Sequence, residues 1–247
     1  MATIFTSARE YHDIQGIWFD KDGTLADSSH YLNQLTLARS QSLDLLVPDI
    51  QDSVLEILGW RDQTVDPLGL MAAGSRLENE IAIAGLLVVR GHTWGEARQL
   101  VTKAFAIAEQ QLQGLECQST LFPEVLDLLD SLVQTPIKLG ILTADTEVHT
   151  QEFLAQYGLK RYFSAIVGAE QGRFKPDPAL YQAACQELGC IPQETLMVGD
   201  TPGDITMALQ AGAKDALWII RQTLNKPRDL LGAQGIASLT DIQVHPR

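Results

Sequence analysis

The amino-acid sequence predicts an α/β fold in which a parallel sheet carries a helical insertion. Short runs of consecutive apolar residues recur along the 247-residue chain, as in strands that are buried on both faces. Helix-length segments separate the later runs, and this alternation is typical of parallel α/β sheets. A long stretch after the first run breaks the alternation, because it has helical patterns but no convincing strand.

The apolar runs predict the strands Ile14–Phe19, Pro136–Thr143, Ser164–Ala169, Thr195–Asp200 and Asp215–Ile220. The segments between them predict the helices Pro123–Val133, Thr146–Tyr157, Pro176–Leu188 and Pro202–Gln210. We therefore expect residues 1–28 and 122–247 to form one α/β core.

Residues 29–121 are expected to form an inserted all-helical module. One predicted helix there places five apolar side chains on one face at helical spacing: Trp94, Val101, Phe105, Ala108 and Leu112. Ordinary core packing explains this face. The glycine-rich, polar stretch Gly59–Ser75 is predicted to be a loop.

Composition limits the function classes. The chain is 45% hydrophobic and 6% aromatic, with a net charge of −13, and its pI is about 4.7. An acidic surface disfavours nucleic acid or an anionic membrane as the main partner. An anionic substrate would need local positive charge from a metal ion or a few basic side chains.

Other sequence features indicate a cytoplasmic protein. The first residues lack the apolar core of a signal peptide, and the longest apolar run, Ile81–Val89, is about half a membrane span. The cysteines Cys117, Cys185 and Cys190 match no metal spacing and leave one thiol unpaired, which suits a reducing compartment. Both a monomer and a homodimer remain open.

The stretch "DKDGT" follows the first predicted strand. Side-chain alternation predicts that Asp20 and Asp22 share a face while Lys21 points away, so that Lys21→Met would retain most activity. Asp20 would serve as a nucleophile and Asp22 as a proton donor and acceptor. Gly23 allows a sharp turn. A surface turn that merely carries charges is the alternative.

Three further segments place polar side chains after predicted strands, where ligands bind in open α/β sheets. Asp200 ends a strand, and Asp204 follows at a helix start, where it is either a metal ligand or only a capping-box acid. Lys175 would neutralise carboxylates and a bound phosphate, or lie harmlessly at the surface. Thr143 ends another strand and would contact phosphate oxygens.

These four motifs in this order resemble the haloacid dehalogenase superfamily, specifically its phosphatase branch with a helical cap, and within it the phosphoglycolate phosphatase-like group. The matching segments are "FDKDGTLADS", Thr143, Lys175 and "VGDTPGD". The resemblance implies a Rossmann-like, doubly wound core, with the helical module as a cap that closes over the site.

The resemblance also implies the roles of individual residues. Asp20 would form an aspartyl-phosphate, with Asp22 as general acid and then base. Thr24, Thr143, Ala144 and Lys175 would contact the substrate. Mg²⁺ would be held by Asp20, Asp22 through its backbone carbonyl, and Asp200, with Asp204 in support. The substrate would be a small phosphorylated metabolite, such as phosphoglycolate or a sugar phosphate.

Two departures from the usual motifs, Phe174 before the lysine and Ala144 after the threonine, remove no reacting group. Asp22 disfavours a dehalogenase, and Lys103 is poorly placed to form the imine that a phosphonate hydrolase needs. A sugar phosphomutase and a non-catalytic metabolite-binding or regulatory protein remain as alternatives. In the cap, Arg61, Arg76 and His92 are candidates for reading an anionic leaving group, and ordinary surface or salt-bridged roles are the competing interpretation.

Overall fold

A computed structural model of the chain describes residues 2–113, 119–168, 173–221 and 231–245. The chain divides into two compact units. The first, here the core unit, comprises Met1–Asp27 and Thr120–Arg247, and the second, here the helical unit, is Ser28–Ser119. Cys117 and Ala169, which the sequence analysis used, lie outside the described residues.

The strands in chain order are β1 (Ala2–Phe5), β2 (Glu10–Ile14), β3 (Gly16–Phe19), β4 (Ala26–Asp27), β5 (Trp60–Arg61), β6 (Thr64–Val65), β7 (Thr120–Leu121), β8 (Lys138–Leu142), β9 (Ala165–Val167), β10 (Thr195–Gly199), β11 (Asp215–Ile219), β12 (Gln234–Ile236) and β13 (Gln243–His245). The helices are α1 (Ser29–Asp44), α2 (Gln51–Leu58), α3 (Leu70–Ala73), α4 (Arg76–Val89), α5 (Trp94–Gln111), α6 (Val125–Leu132), α7 (Glu147–Gln156), α8 (Pro178–Leu188) and α9 (Pro202–Gln210). Short 3₁₀ turns lie at Lys160–Tyr162, Pro192–Glu194 and Leu239–Asp241.

The core unit is built on a parallel sheet of six strands in the spatial order β12-β11-β10-β3-β8-β9. Strand alternation sends Ile17 and Phe19 into one hydrophobic core and Trp18 into a second. Both faces of β3 are therefore buried, which explains why its sequence is continuously apolar. The predicted doubly wound α/β core is confirmed.

The strand order fixes where a ligand site forms. The chain runs from β3 outward through β8 and β9, then returns to the other side of β3 with β10 and continues outward. Phe19 pairs with Ile141 on β8 and with Val198 on β10, so the three strands end at the same edge. This reversal of order is the topological switch point where open sheets bind ligands.

Each predicted core strand and helix is present, with ends that differ from the prediction by a few residues. The helix predicted to begin at Pro176 begins at Pro178 instead, where the Asp177 side chain accepts a hydrogen bond from the Ala179 N–H. Pro176 instead follows a cis peptide bond after Lys175. A small antiparallel sheet, β13-β1-β2, and the edge strand β12 were not predicted from the sequence.

In the helical unit, most of the predicted apolar face of α5 is buried. Val101, Phe105 and Ala108 are fully buried. Trp94 is 53% exposed, so its assignment to the buried face was wrong. It lies at the first helical position, where the Arg98 guanidinium stacks 5.8 Å from its ring centroid. The segment Gly59–Ser75 is not only loop, because it contains β5, β6 and α3.

The two chain segments that join the units are short paired strands. Asp27 on β4 pairs with Thr120 on β7 within the core unit. The first and last residues of the helical unit are also linked, because the Ser28 hydroxyl donates to the Ser119 hydroxyl at 2.8 Å. Both ends of the insertion are therefore held side by side.

Candidate active site

The site begins where β3 ends, in a tight turn at residues 20–26. The Asp20 N–H donates to the Val198 carbonyl, which ties the strand end to β10. The turn is closed by the Lys21 carbonyl, which accepts hydrogen bonds from the Leu25 and Ala26 N–H groups, each at 2.9 Å. Gly23 has φ +81°, a conformation that a side chain would strain.

Lys175 joins two acids from separate segments. Its Nζ lies 2.5 Å from Asp20 Oδ1 and 2.6 Å from Asp204 Oδ1. All three side chains are buried, at 7%, 7% and 0% exposure. A buried ammonium group is costly unless it is paired, and two carboxylates satisfy it here.

Asp200 adds a third acid to this cluster. Carboxylate oxygens of Asp20, Asp200 and Asp204 lie within 4.8 Å of one another. Asp200 Oδ1 is buried and has no hydrogen-bond partner among the described residues. A Cβ on Gly23 would collide with the Asp200 carboxylate, so the turn and this acid can approach only because residue 23 is glycine.

The electrostatics of the cluster are unbalanced, with three acids around one lysine. Burial, together with Asp20 and Asp204, raises the pKa of Asp200 well above its ordinary value. Burial also raises the pKa of Asp20, against the opposing attraction of Lys175. Burial alone would lower the pKa of Lys175, but the charges of Asp20 and Asp204 outweigh it and raise that pKa. A cation near the free oxygen of Asp200 would relieve this repulsion.

This acid cluster suits a hard divalent cation. Mg²⁺ prefers oxygen ligands, and an unpartnered carboxylate oxygen beside two more carboxylates is such a donor set. Asp20, Asp200 and Asp204 are the residues that could hold such an ion.

Asp204 is a capping-box acid, as one of the two interpretations of the sequence held, and it also contacts Lys175, while its role at a metal stays a prediction. Its Oδ2 accepts hydrogen bonds from the Thr201 N–H and hydroxyl in a capping box at the start of α9. Its Oδ1 contacts Lys175. The helix start therefore fixes one oxygen while the other remains directed at the lysine.

The predicted substrate-contacting residues lie at the same sheet edge or on the turn. Thr143 follows β8, is buried, and accepts a hydrogen bond from the Asp145 N–H through Oγ1. Ala144 beside it is partly buried. Thr24 is fully buried, and its hydroxyl has no hydrogen-bond partner among the described residues.

Comparison with known proteins identifies the family. The haloacid dehalogenase-like hydrolase family matches residues 14–212. The chain belongs to this family.

The individual relatives described next share less than a third of their residues with this chain. Phosphoglycolate phosphatase from Escherichia coli is 28% identical over 208 residues, covering 82% of this chain and 80% of the relative. The structure of a 2-haloacid dehalogenase from Pseudomonas syringae pv. Tomato is 28% identical, with a TM-score of 0.59, and covers 92% of this chain and 95% of its own. A β-phosphoglucomutase from Clostridium difficile shares the fold, with a TM-score of 0.66 at 18% identity and 91% coverage of both chains.

The predicted direction of the Lys21 side chain, away from Asp20 and Asp22, was wrong. Its Nζ does not point away from Asp22 but contacts Asp22 Oδ1 at 2.7 Å and Asp145 Oδ2 at 3.2 Å. Alternation applies to extended backbone, and β3 ends at Phe19. The turn that follows lets the long lysine side chain fold back to the neighbouring acid.

Arg221, which follows β11, was missed by the sequence analysis. Its guanidinium donates to the carbonyls of Gly23 (3.0 Å) and Thr24 (2.8 Å), and pairs with Glu124 at 2.7 Å. It also lies over the Phe122 ring. These contacts hold the turn from outside. Its only sequence signal was a charge after an apolar strand, which is too common to be informative.

The basic residues proposed to read the substrate lie in the helical unit. Arg76 pairs with Glu109 at 3.0 Å and with Glu80 at 3.5 Å, which favours the salt-bridged interpretation for it. Arg61 is exposed on β5, and His92 lies in a surface groove with Glu96 and Lys103.

Among the described residues, no helix has the length and hydrophobicity that a membrane crossing requires.

Proposed function

We propose that this chain is a Mg²⁺-dependent phosphatase that hydrolyses a small phosphomonoester through a phosphorylated Asp20. The observation that carries the proposal is the buried contact of Asp20 with Lys175, beside two further acids at the switch point of the sheet. An ionised aspartate is a nucleophile at neutral pH, and a buried lysine beside it would neutralise a transferring phosphoryl group.

The proposed first step is phosphoryl transfer to the enzyme. An oxygen of the Asp20 carboxylate forms a bond to phosphorus as the ester P–O bond breaks. The protonated Asp22 carboxyl gives its proton to the departing oxygen, which leaves as an alcohol. Thr143 would donate its hydroxyl proton to a phosphoryl oxygen, since its Oγ1 already accepts from Asp145.

The second step reverses the proton's path. A water molecule attacks phosphorus and gives a proton to the Asp22 carboxylate. The bond between phosphorus and the Asp20 oxygen breaks, so that inorganic phosphate leaves and both aspartates return to their starting states. Asp22 is suited to act in both steps because it lies on the same turn as the nucleophile, two residues away.

Asp20, Asp200 and the Asp22 backbone carbonyl would hold Mg²⁺, with Asp204 in support. When bound, the ion would supply positive charge to the phosphoryl oxygens. The orphaned Asp200 oxygen supports this assignment.

The relatives support the choice of a phosphatase. The Escherichia coli relative is named a phosphoglycolate phosphatase, and phosphoglycolate or another small phosphorylated acid or sugar is the proposed substrate class. Residues 29–121 would act as a cap that selects the leaving group. The acidic composition and the buried free thiols Cys185 and Cys190 suit a cytoplasmic enzyme, as monomer or homodimer.

The test is release of inorganic phosphate from an aryl phosphate with added Mg²⁺, followed by a panel of phosphorylated acids, sugars and nucleotides. We expect turnover by the wild-type protein and none by Asp20→Asn. No turnover of any ester by a folded sample would refute the proposal. Formation of an isomeric sugar phosphate instead of free phosphate would indicate a phosphomutase.

A further inference from the structure

We propose that Lys21 is a positioning residue that holds the Asp22 carboxylate for proton transfer, and that Asp145 in turn holds Lys21. This inference rests on the proposed function, because it assigns Lys21 a role in the acid–base step of that reaction. Lys21 itself would touch neither the phosphoryl group nor the nucleophile.

Lys21 is buried between acids. Its side chain is 6% exposed, yet its ammonium group contacts Asp22 at 2.7 Å and Asp145 at 3.2 Å. Contacts with two acids from different segments therefore set the direction of this side chain. A lysine in a surface ion pair would be mobile and its pairing weak, whereas the ammonium group of Lys21 is buried.

Asp145, the second partner of Lys21, is itself fixed. Its Oδ1 accepts from the Thr146 N–H at 2.8 Å and contacts His149 Nδ1 at 3.1 Å. Its own N–H donates to Thr143 Oγ1. Hydrogen bonds and the charge of Lys21 overcome the effect of burial and lower the pKa of Asp145 to about 2. Asp145 is thus an ionised anchor between the end of β8 and the start of α7.

Asp22 lies on a turn outside any long strand or helix, and its side chain is 29% exposed. Proton transfer needs the carboxyl within hydrogen-bond reach of the departing oxygen, and small displacements are costly. The Lys21 contact restrains the carboxylate through one oxygen, which reduces the orientations that it can take.

A competing interpretation makes Lys21 a second phosphate-binding cation. In that case its removal would weaken the binding of every phosphate ester and of inorganic phosphate alike. A positioning role predicts something different, because only leaving groups that need a proton depend on Asp22 as an acid. Dinitrophenolate leaves without protonation, whereas phenolate is basic enough to need it.

The experiment measures kcat/KM for dinitrophenyl phosphate and for phenyl phosphate with added Mg²⁺. The variants are Lys21→Met, Lys21→Arg and Asp145→Asn. Lys138→Met is the matched control, since Lys138 donates to the Leu188 carbonyl and contacts none of these acids in the described structure. The ratio of the two kcat/KM values does not depend on the fraction of active enzyme, so partial misfolding leaves it interpretable.

We expect Lys21→Met to lower kcat/KM on phenyl phosphate by about tenfold or more, and on dinitrophenyl phosphate by less than about twofold. Lys21→Arg should recover part of the loss, and Asp145→Asn should show a smaller loss of the same kind. The inhibition constant of inorganic phosphate should stay unchanged in Lys21→Met.

The inference is overturned if the ratio in Lys21→Met equals that of the wild type, or if phosphate inhibition weakens in parallel with both substrates. A gain of activity on phenyl phosphate would also overturn it, since Lys21 would then restrain Asp22 unproductively. Absence of turnover in the wild type is a separate result, because it rejects the proposed function itself.

Discussion

At the scale of single residues, the two buried lysines, Lys21 and Lys175, have different partners, so replacing each should reduce activity in a different way. Lys175 contacts the proposed nucleophile and Asp204, so its loss leaves two buried carboxylates without their cation. We expect Lys175→Met to lower kcat about a thousandfold on every ester, whatever its leaving group. Steady-state kinetics with both aryl phosphates check this. A loss confined to phenyl phosphate would contradict the phosphoryl-binding role.

Arg221 acts on the site without entering it. Arg221→Ala would release the Gly23 and Thr24 carbonyls and leave Glu124 without its guanidinium partner. Because the turn carries Asp20 and Asp22, a small displacement should lower kcat by about tenfold or more. The measurement is kcat with an aryl phosphate, beside the melting temperature.

Arg9→Ala is the matched control for Arg221→Ala. Arg9 also pairs with an acid, Asp215 at 2.6 Å, but contacts no residue of the turn in the described structure. We expect it to lower the melting temperature with little change in kcat. Equal kcat in the two variants would show that Arg221 only stabilises the fold.

At the scale of elements, the turn after β3 requires glycine for two reasons that can be separated. Gly23→Ala adds strain of about 1 kcal/mol at positive φ and also places a methyl group against Asp200. We expect loss of most activity and weaker Mg²⁺ affinity, measured by titration calorimetry.

Gly158→Ala isolates the strain alone. Gly158 has φ +67°, and a Cβ there would meet no atom within 4 Å. This variant should lose a similar amount of stability and keep its activity. If both glycine variants retained activity, the close approach to Asp200 would be unimportant.

Some strands and helices could be predicted from the sequence and others could not. The central strands were predictable because burial on both faces demands consecutive apolar residues, as in Ile17, Trp18 and Phe19. Strand β2 mixes exposed and buried positions in a small antiparallel sheet, so its sequence carries a weaker pattern. The start of α8 was misplaced because Pro176, like Pro178, is compatible with a helix start.

The candidate site was predictable in part for a similar reason. Strand ends of a parallel sheet lie at one edge, so Asp20 and Asp200 had to approach each other. The contact of Lys21 with Asp22 depends on a turn in which alternation no longer holds. The contact of Arg221 with Gly23 joins residues at opposite ends of the chain, which no local pattern encodes.

At the scale of the whole molecule, the proposed metal site should couple Mg²⁺ binding to stability. Without metal, Asp20, Asp200 and Asp204 repel one another around a single lysine. Mg²⁺ should therefore raise the melting temperature, by an amount equivalent to about 2.7 kcal/mol at a hundred times its Kd. Chelation with EDTA should reverse the shift and remove activity.

Asp200→Asn provides the complementary experiment. Removing one buried charge should stabilise the metal-free protein and abolish the Mg²⁺-dependent shift, because burial and the like charges of Asp20 and Asp204 disfavour the ionised form of Asp200 and raise its pKa. Differential scanning calorimetry with and without Mg²⁺ measures both effects. Asp127→Asn, at an exposed position on α6, is the control and should change neither. A Mg²⁺ shift that persisted in Asp200→Asn would place the metal elsewhere.

The paired ends of the helical unit have a consequence for how such a molecule is assembled and altered. Asp27 and Thr120 are strand partners, and Ser28 and Ser119 share a hydrogen bond. The insertion thus leaves and re-enters the core unit at neighbouring positions. The entropic cost of bringing the two ends of such a segment together grows only slowly with the length of the segment. Modules of different size can be exchanged at this junction while the strands that carry Asp20 and Asp200 keep their register. This junction would let the recognition proposed for the insertion vary independently of the residues proposed to react.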